Sequence, residues 1–90
     1  MKLVQSAMVG SLESNDCLVS VYPARNQVDI AVDSIVLAQF GEAIKATVHG
    51  VCTEFGVSAA RIKIQDKGAL DCVIKARVEA AILRAGGDHV

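Results

Sequence analysis

Residues 28–33 run Val28-Asp29-Ile30-Ala31-Val32-Asp33, the clearest strand pattern in the chain. Successive side chains of a β-strand point to opposite faces, so the two valines and the isoleucine share one face and the aspartates share the other. We therefore predict a strand with one buried face and one solvated face.

A helix is predicted directly after this strand, with Asp33 or Ser34 as its N-cap, because a short oxygen-bearing side chain satisfies the free amides of a first turn. Gly56 is placed to end it. Apolar residues at intervals of three and four form one stripe, namely Val36, Phe40, Ile44, Val48, Val51, Cys52 and Phe55. Gly41 and Gly50 lie inside this helix, at a cost of about 1 kcal/mol each relative to alanine. Their missing side chains are expected to let the helix lie close to the sheet.

The C-terminal third repeats the strand-then-helix pattern. In residues 60–65, apolar side chains alternate with polar ones, which predicts a fourth strand. Asp66-Lys67-Gly68 is predicted to turn the chain into a last helix, which Gly86-Gly87 ends. The apolar stripe of that helix consists of Leu70, Ile74, Val78, Ala81, Ile82 and Ala85.

Two further strands are predicted upstream, over residues 7–13 and 17–22, on either side of the turn formers Ser14-Asn15-Asp16. Residues 17–22 carry apolar side chains on both faces, which is typical of a central strand. Pro23 to Asn26 form the next turn.

The predicted order of elements is βββαβα in a single domain spanning residues 1–90. This order indicates an α+β fold, a two-layer sandwich in which a four-stranded sheet has both helices on one face. The third and fourth strands, joined through the first helix, are expected to be parallel.

Composition excludes several classes of function. A net charge of −1 and only three aromatic residues, Tyr22, Phe40 and Phe55, give no surface for nucleic acid, so no nucleic-acid partner is expected. No apolar run approaches the ~18 residues that a membrane span needs. The first residues do not resemble a secretory signal, so a cytoplasmic location and no membrane partner are predicted.

The sequence contains no recognisable constellation for catalysis or metal binding. Cys17, Cys52 and Cys72 are far apart and form no Cys-x-x-Cys pair, so they are expected to act as small buried hydrophobic residues. His49 and Cys52 share one helical face, but a metal site needs at least a third ligand, and none lies nearby. No phosphate-binding glycine loop or nucleophile elbow is present.

Two serines are candidates for covalent modification. Ser14 lies in the predicted turn between the first two strands. Ser34 lies in Asp33-Ser34-Ile35, which matches the short core of the phosphopantetheine attachment site of ordinary acyl carrier proteins. Those carriers are helical bundles, whereas three β-patterned segments precede Ser34, and a helix cap accounts for it. We therefore reject Ser34 as an attachment site.

Three blocks carry a resemblance that runs from about Gly10 to Ala85. They are Gly10-Ser11-Leu12-Glu13-Ser14, Gln39-Phe40-Gly41-Glu42-Ala43-Ile44, and Asp66-Lys67-Gly68-Ala69-Leu70-Asp71-Cys72 running into Ala76-Arg77-Val78-Glu79-Ala80. With these blocks in this order and spacing, the chain resembles the citrate lyase acyl carrier proteins, the γ subunits of citrate lyase. The block over residues 66–72 is the most specific of the three.

The resemblance implies that Ser14 holds a phosphoribosyl-dephospho-coenzyme A group through a phosphodiester. Members of the family often have glycine after this serine, where this chain has Asn15. Both residue types tolerate a positive φ, so the turn is expected to be kept. No catalytic residue and no metal are expected, because the reactive thiol of such a carrier belongs to its cofactor.

The resemblance also implies a set of partners. The citrate lyase α subunit exchanges acetyl for citryl on the carrier, and the β subunit cleaves the citryl thioester to oxaloacetate and regenerates the acetyl carrier. A prosthetic-group transferase and an acetylating ligase are further implied partners. The alternatives are a malonate decarboxylase-type carrier with the same kind of group and an unmodified structural or interaction module; a free-standing enzyme is disfavoured.

The block over residues 66–72 contains no attachment residue, and two interpretations of it remain open. In the first, Gly68 permits a tight turn, Leu70 packs in the core, and Asp66 or Asp71 caps the last helix. In the second, Lys67 and the amides of the first helical turn form a docking patch for a partner subunit or for cofactor phosphates.

Overall fold

The computed structural model describes residues 1–34 and 38–87. Four strands and two helices follow one another in the predicted order βββαβα. The strands are β1 (Ala7–Gly10), β2 (Cys17–Pro23), β3 (Val28–Ser34) and β4 (Ala60–Asp66), and the helices are α1 (Ala38–Glu54) and α2 (Asp71–Ala85). The α+β fold class predicted from the sequence is therefore confirmed.

The four strands form one mixed sheet in the order β1-β2-β4-β3. Strand β2 is antiparallel to both of its neighbours, with Val19 opposite Val9 on β1 and opposite Ile64 on β4. Strand β3 is parallel to β4, with Val32 opposite Ile64. The prediction that residues 17–22 form a central strand is confirmed, as is the parallel pairing of the third and fourth strands.

The core lies between one face of the sheet and the two helices. The side chains of β2 and β4 that face the helices are completely buried; they are Cys17, Val19, Val21, Ala60, Ile62 and Ile64. Helix α1 contributes Val48 and Val51, and α2 contributes Val78 and Ile82, all at most 1% exposed. This is the predicted two-layer sandwich, and within residues 1–34 and 38–87 no helix is long and apolar enough to cross a bilayer.

The start of the first helix differs from the prediction. Either Asp33 or Ser34 was expected to cap it, but both belong to β3, where Ser34 is opposite Asp66 in the parallel pairing with β4. The Ser34 hydroxyl donates a hydrogen bond of 2.8 Å to the Asp66 carboxylate. A cross-strand partner therefore extends the strand through a residue whose local preference is for a helix cap.

Two smaller expectations also need correction. Strand β1 ends at Gly10 instead of continuing to residue 13, because Gly10 has a φ of +105° and takes the chain out of the extended conformation. A Cβ built on Gly41 or on Gly50 would have no atom within 4 Å, so these glycines are not sites of close approach to the sheet.

Candidate functional site

Ser14 lies at the tip of the hairpin between β1 and β2 and is exposed to solvent. The amide of Asp16 donates to the carbonyl of Glu13 at 3.2 Å, which closes a four-residue turn with Ser14 and Asn15 as its central residues. Asn15 has a φ of 66°, a conformation in which asparagine and glycine are the favoured residues. The expectation that asparagine keeps this turn is confirmed.

The Ser14 hydroxyl is free for chemistry within the described part of the chain. No backbone or side-chain group of residues 1–34 and 38–87 is hydrogen-bonded to its Oγ atom. The hydroxyls of Ser11 and Ser34, by contrast, donate to the carboxylates of Asp16 and Asp66. Ser14 is therefore a serine whose side chain the fold presents outward.

Backbone hydrogen bonds tie the Ser14 turn to the segment that follows β4. The Asn15 amide donates to the Lys67 carbonyl at 2.8 Å, and the Lys67 amide donates to the Asp16 carbonyl at 2.9 Å. These two bonds continue the pairing of β2 with β4 beyond Cys17 and Asp66, the last pair of the ladder. The block over residues 66–72 thus lies directly against the turn that carries Ser14.

The ion pair between Asp16 and Arg77, called the clamp below, fixes the other side of the turn. Arg77 on α2 donates from Nε and Nη2 to the two carboxylate oxygens of Asp16, at 3.1 and 3.2 Å. The same carboxylate accepts hydrogen bonds of 2.7 Å from the Ser11 hydroxyl and from the Cys17 amide. The Asp16 side chain is 18% exposed, and that of Arg77 is 41% exposed. Asp16 therefore joins the turn, β2 and α2 through one carboxylate.

These contacts shift the titration of Asp16. The Ser11 hydroxyl, the Cys17 amide and the Arg77 guanidinium, in that order, lower the pKa of the Asp16 carboxyl from 3.8 to about 2. The carboxylate is consequently ionised at neutral pH and is available as an acceptor for all of its partners. Sequence reasoning missed this clamp, although Asp16 lies two residues after the first family block and Arg77 lies within the third.

The cysteines are not equivalent. Cys17 and Cys52 are buried, at 0% and 2% exposure, as predicted, whereas Cys72 is exposed on the first turn of α2, so the expectation that all three are buried is wrong for it. Burial, with smaller contributions from the charges of Asp16 and Asp66, raises the pKa of the Cys17 thiol to about 11. Burial also raises the pKa of Cys52. Neither buried thiol supplies a thiolate at neutral pH.

Asp66 organises the turn between β4 and α2. It is 2% exposed, and its Oδ1 accepts hydrogen bonds from the amides of Gly68 and Ala69 at 3.2 and 2.9 Å. Gly68 has a φ of +92°, which confirms the predicted tight turn. The first interpretation had Asp66 or Asp71 capping the last helix; that part of it is wrong, because the N-cap residue is Leu70 and no side chain caps it. Asp71 lies in the first turn of α2, where its charge favours the positive end of the helix.

Leu70 and Phe40 were both predicted to lie in buried stripes, and both are exposed, at 69% and 49%. They line an open groove of about 330 Å³ between the N-terminal parts of α1 and α2. The remaining lining residues are Ala43, Ile44, Asp66, Gly68, Ala69, Asp71 and Ile74. Regular spacing of apolar residues identifies a helix face, but it does not distinguish a filled core from the edge of a groove.

No metal centre is formed by the described residues. No three of their His, Cys, Asp and Glu side chains are grouped as ligands. His49 is exposed whereas Cys52 is buried, so the two residues that share a face by spacing lie in different environments.

Comparison with known proteins gives a consistent result. Residues 4–85 match the acyl carrier protein family described as malonate decarboxylase delta subunit (MdcD). The chain is 47% identical over 85 residues to the citrate lyase acyl carrier protein of Pectobacterium atrosepticum, covering 94% of this chain and 88% of that one. It is 49% identical over 90 residues to the citrate lyase acyl carrier protein of Haemophilus influenzae strain PittGG, covering 100% and 94% of the two chains.

Two further matches extend the comparison. The citrate lyase acyl carrier protein of Treponema denticola is 49% identical over 85 residues, covering 94% of this chain and 97% of that one. Among solved structures, a chain of a Pseudomonas malonate decarboxylase hetero-tetramer in complex with malonate superposes with a TM-score of 0.71 at 23% identity, covering 96% and 93% of the two chains. The structural match, at this identity, establishes a shared fold.

Proposed function

Because the chain belongs to the family of citrate lyase acyl carrier proteins, whose members are non-catalytic carrier subunits, we propose that it carries acyl groups on a prosthetic group attached to Ser14. The observation that supports this assignment is the exposed Ser14 hydroxyl on a turn held by Asn15, Asp16 and Arg77. A carrier needs one accessible hydroxyl on a rigid support, because a transferase and several partners must reach it in turn.

The proposed group is phosphoribosyl-dephospho-coenzyme A, joined through a phosphodiester. The residues present fit such a linkage, since Ser14 offers an oxygen nucleophile that no described residue engages. When bound, the group supplies a thiol that takes up an acyl group as a thioester. This chain needs no acid, base or metal for that chemistry.

Attachment requires one balanced step at Ser14. Its Oγ forms a bond to the phosphorus of an activated donor, the bond from that phosphorus to a diphosphate leaving group breaks, and the hydroxyl proton passes to a base on the transferase. The chain contributes position: the Asn15–Lys67 and Asp16–Arg77 contacts hold the turn against the segment that follows β4 and against α2. Because the backbone of the turn is held in place, bringing Ser14 to the donor costs less entropy.

The proposed partners are the citrate lyase α and β subunits, the prosthetic-group transferase and the acetylating ligase, all acting in the cytoplasm. A tethered acyl group reaches two active sites at high effective concentration, so this chain needs no tight-binding pocket for either substrate. The three unpaired cysteines agree with a reducing compartment.

A malonate decarboxylase carrier is the second candidate, favoured by the family model and by the structural neighbour. The two functions separate in a reconstitution assay. Holo protein, first acetylated on the thiol of its attached group, is mixed either with citrate lyase α and β subunits or with the catalytic subunits of malonate decarboxylase. We expect citrate cleavage to oxaloacetate and acetate in the first mixture and no release of carbon dioxide from malonate in the second; the reverse result would transfer the assignment.

A further inference from the structure

The groove between α1 and α2 combines an apolar lining with exposed large side chains. Phe40 on α1 and Leu70 at the start of α2 are 49% and 69% exposed, whereas Ile44 and Ile74 at its base are 6% and 3% exposed. Phe40 and Leu70 are large apolar side chains exposed to solvent beside a cavity of about 330 Å³. Such a surface is suited to an apolar ligand.

This groove lies next to the turn that carries Ser14. Gly68 forms part of its wall, and a Cβ built on Gly68 would lie 3.6 Å from Oδ1 of Asn15. The Asn15 amide, one residue beyond Ser14, is bonded to the Lys67 carbonyl at 2.8 Å. A flexible group attached to Ser14 therefore begins beside the groove.

The charges of the lining residues determine which part of a group attached to Ser14 can enter the groove. The ionisable lining residues are Asp66 and Asp71, both acidic, and the remaining lining residues are apolar or glycine. Asp66 is 2% exposed and already accepts hydrogen bonds from Ser34, Gly68 and Ala69. Phosphates are repelled by these carboxylates, whereas an uncharged segment of methyl, methylene and amide groups is not.

We propose that the groove is a resting site for the uncharged pantetheine arm of the group attached to Ser14, with the phosphates left in solvent. This proposal rests on the proposed function, since it requires the group to be present. Tethering makes weak contacts sufficient: at an effective concentration of about 1 mM, a site with a Kd of about 1 mM is half occupied. Such a weak site still releases the arm readily to a partner's active site.

The test uses holo protein made by co-expression with its maturation enzymes, and intact mass first establishes that the group is attached. Amide and methyl spectra of apo and holo protein are then compared. We expect the resonances of Ala43, Ala69 and Ile74 to shift on loading, in addition to those of the turn. Shifts confined to the turn in a fully loaded sample would overturn the resting site and leave the proposed function intact.

A second measurement follows the arm itself. Leu70→Ala removes an exposed wall of the groove, and Met8→Ala, which removes a 57% exposed apolar side chain from the opposite face of the sheet, is the matched control. Both are made in a Cys72→Ser background so that the exposed protein thiol does not compete. We expect alkylation of the arm thiol to be faster in Leu70→Ala, by up to about twofold, and unchanged in Met8→Ala, because complete release of a half-occupied site doubles the fraction of free arm.

The outcomes distinguish failure of the resting site from failure of the proposed function. Equal alkylation rates in both variants would overturn the resting site, as would groove shifts that appear only when the α subunit is added. A chain that gains no mass at all would instead remove the proposed function, and the resting site with it.

Discussion

Arg77 on α2 donates a bidentate pair of hydrogen bonds, of 3.1 and 3.2 Å, to the carboxylate of Asp16, two residues beyond Ser14. These two residues are 61 positions apart in sequence, so the pair links the first hairpin to the last helix. Because the carboxylate also accepts from Ser11 and Cys17, its position determines the shape of the whole turn. We consider this pair the main positioning device for the candidate attachment serine.

Removing the guanidinium should loosen the turn without unfolding the sheet. In Arg77→Ala, we expect the amides of Ser14, Asn15 and Asp16 to exchange with solvent faster, because one wall of the clamp is lost while the Asn15–Lys67 hydrogen bond remains. Lys75→Ala, an exposed change on the same helix, is the control and should leave these amides as they are. Protection of the turn that is equal in both variants would contradict a positioning role for Arg77.

The depressed pKa of Asp16 predicts a specific acid sensitivity. A group whose pKa is lowered in the folded state adds stability above its unfolded pKa and loses that contribution as pH falls through the folded value. For Asp16 the window lies between its ordinary pKa of 3.8 and its folded pKa of about 2. A carboxyl-carbon titration should show this value, and Asp16→Asn should lose the corresponding part of the acid dependence of stability. An Asp16 carboxyl that titrates near 3.8 would mean that the clamp is absent in solution.

Two glycines should respond to alanine in opposite directions. Gly50→Ala should stabilise the protein by about 1 kcal/mol, because Gly50 lies inside α1 and its new Cβ has no atom within 4 Å. Gly10→Ala should destabilise it by more than about 1 kcal/mol, because φ at Gly10 is +105° and its Cβ would lie 1.9 Å from the Cys17 carbonyl oxygen. Denaturant unfolding measures both changes, and the same sign for the two would be inconsistent with this geometry.

Lys67 should tolerate loss of its side chain but not loss of its amide. Its two contacts to the Ser14 turn use the backbone, so Lys67→Ala should change the free energy of unfolding by no more than about 0.5 kcal/mol. Lys67→Pro removes the amide that donates to Asp16 and should destabilise the turn. Thermal unfolding separates the two variants. Slower acyl exchange with the α subunit in Lys67→Ala would identify its ammonium group as a docking contact, whereas unaltered turnover would limit this residue to architecture.

The sequence predicted best those strands and turns that a local pattern of residues specifies. Alternation of apolar and polar residues predicted β3 and β4, and apolar side chains on both faces predicted the central β2. The turn formers around Ser14 predicted an exposed hairpin tip. Ser34 was misassigned to a helix cap because its strand pairing depends on Asp66, 32 positions away. Leu70 was misassigned to the core because helical spacing identifies one face of a helix but does not show whether other residues pack against that face. Long-range partners, such as Arg77 for Asp16, leave no local signal.

The intact mass of the protein after co-expression with its maturation enzymes tests the central claim most directly. The unaltered chain and the Ser34→Ala variant should both be heavier by one attached group, since Ser34 is directed at Asp66 inside the fold. Ser14→Ala should show only the mass of the bare chain, with unfolding behaviour like that of the parent because Ser14 is exposed. A Ser14→Ala protein that still gains the mass of the group would contradict the account.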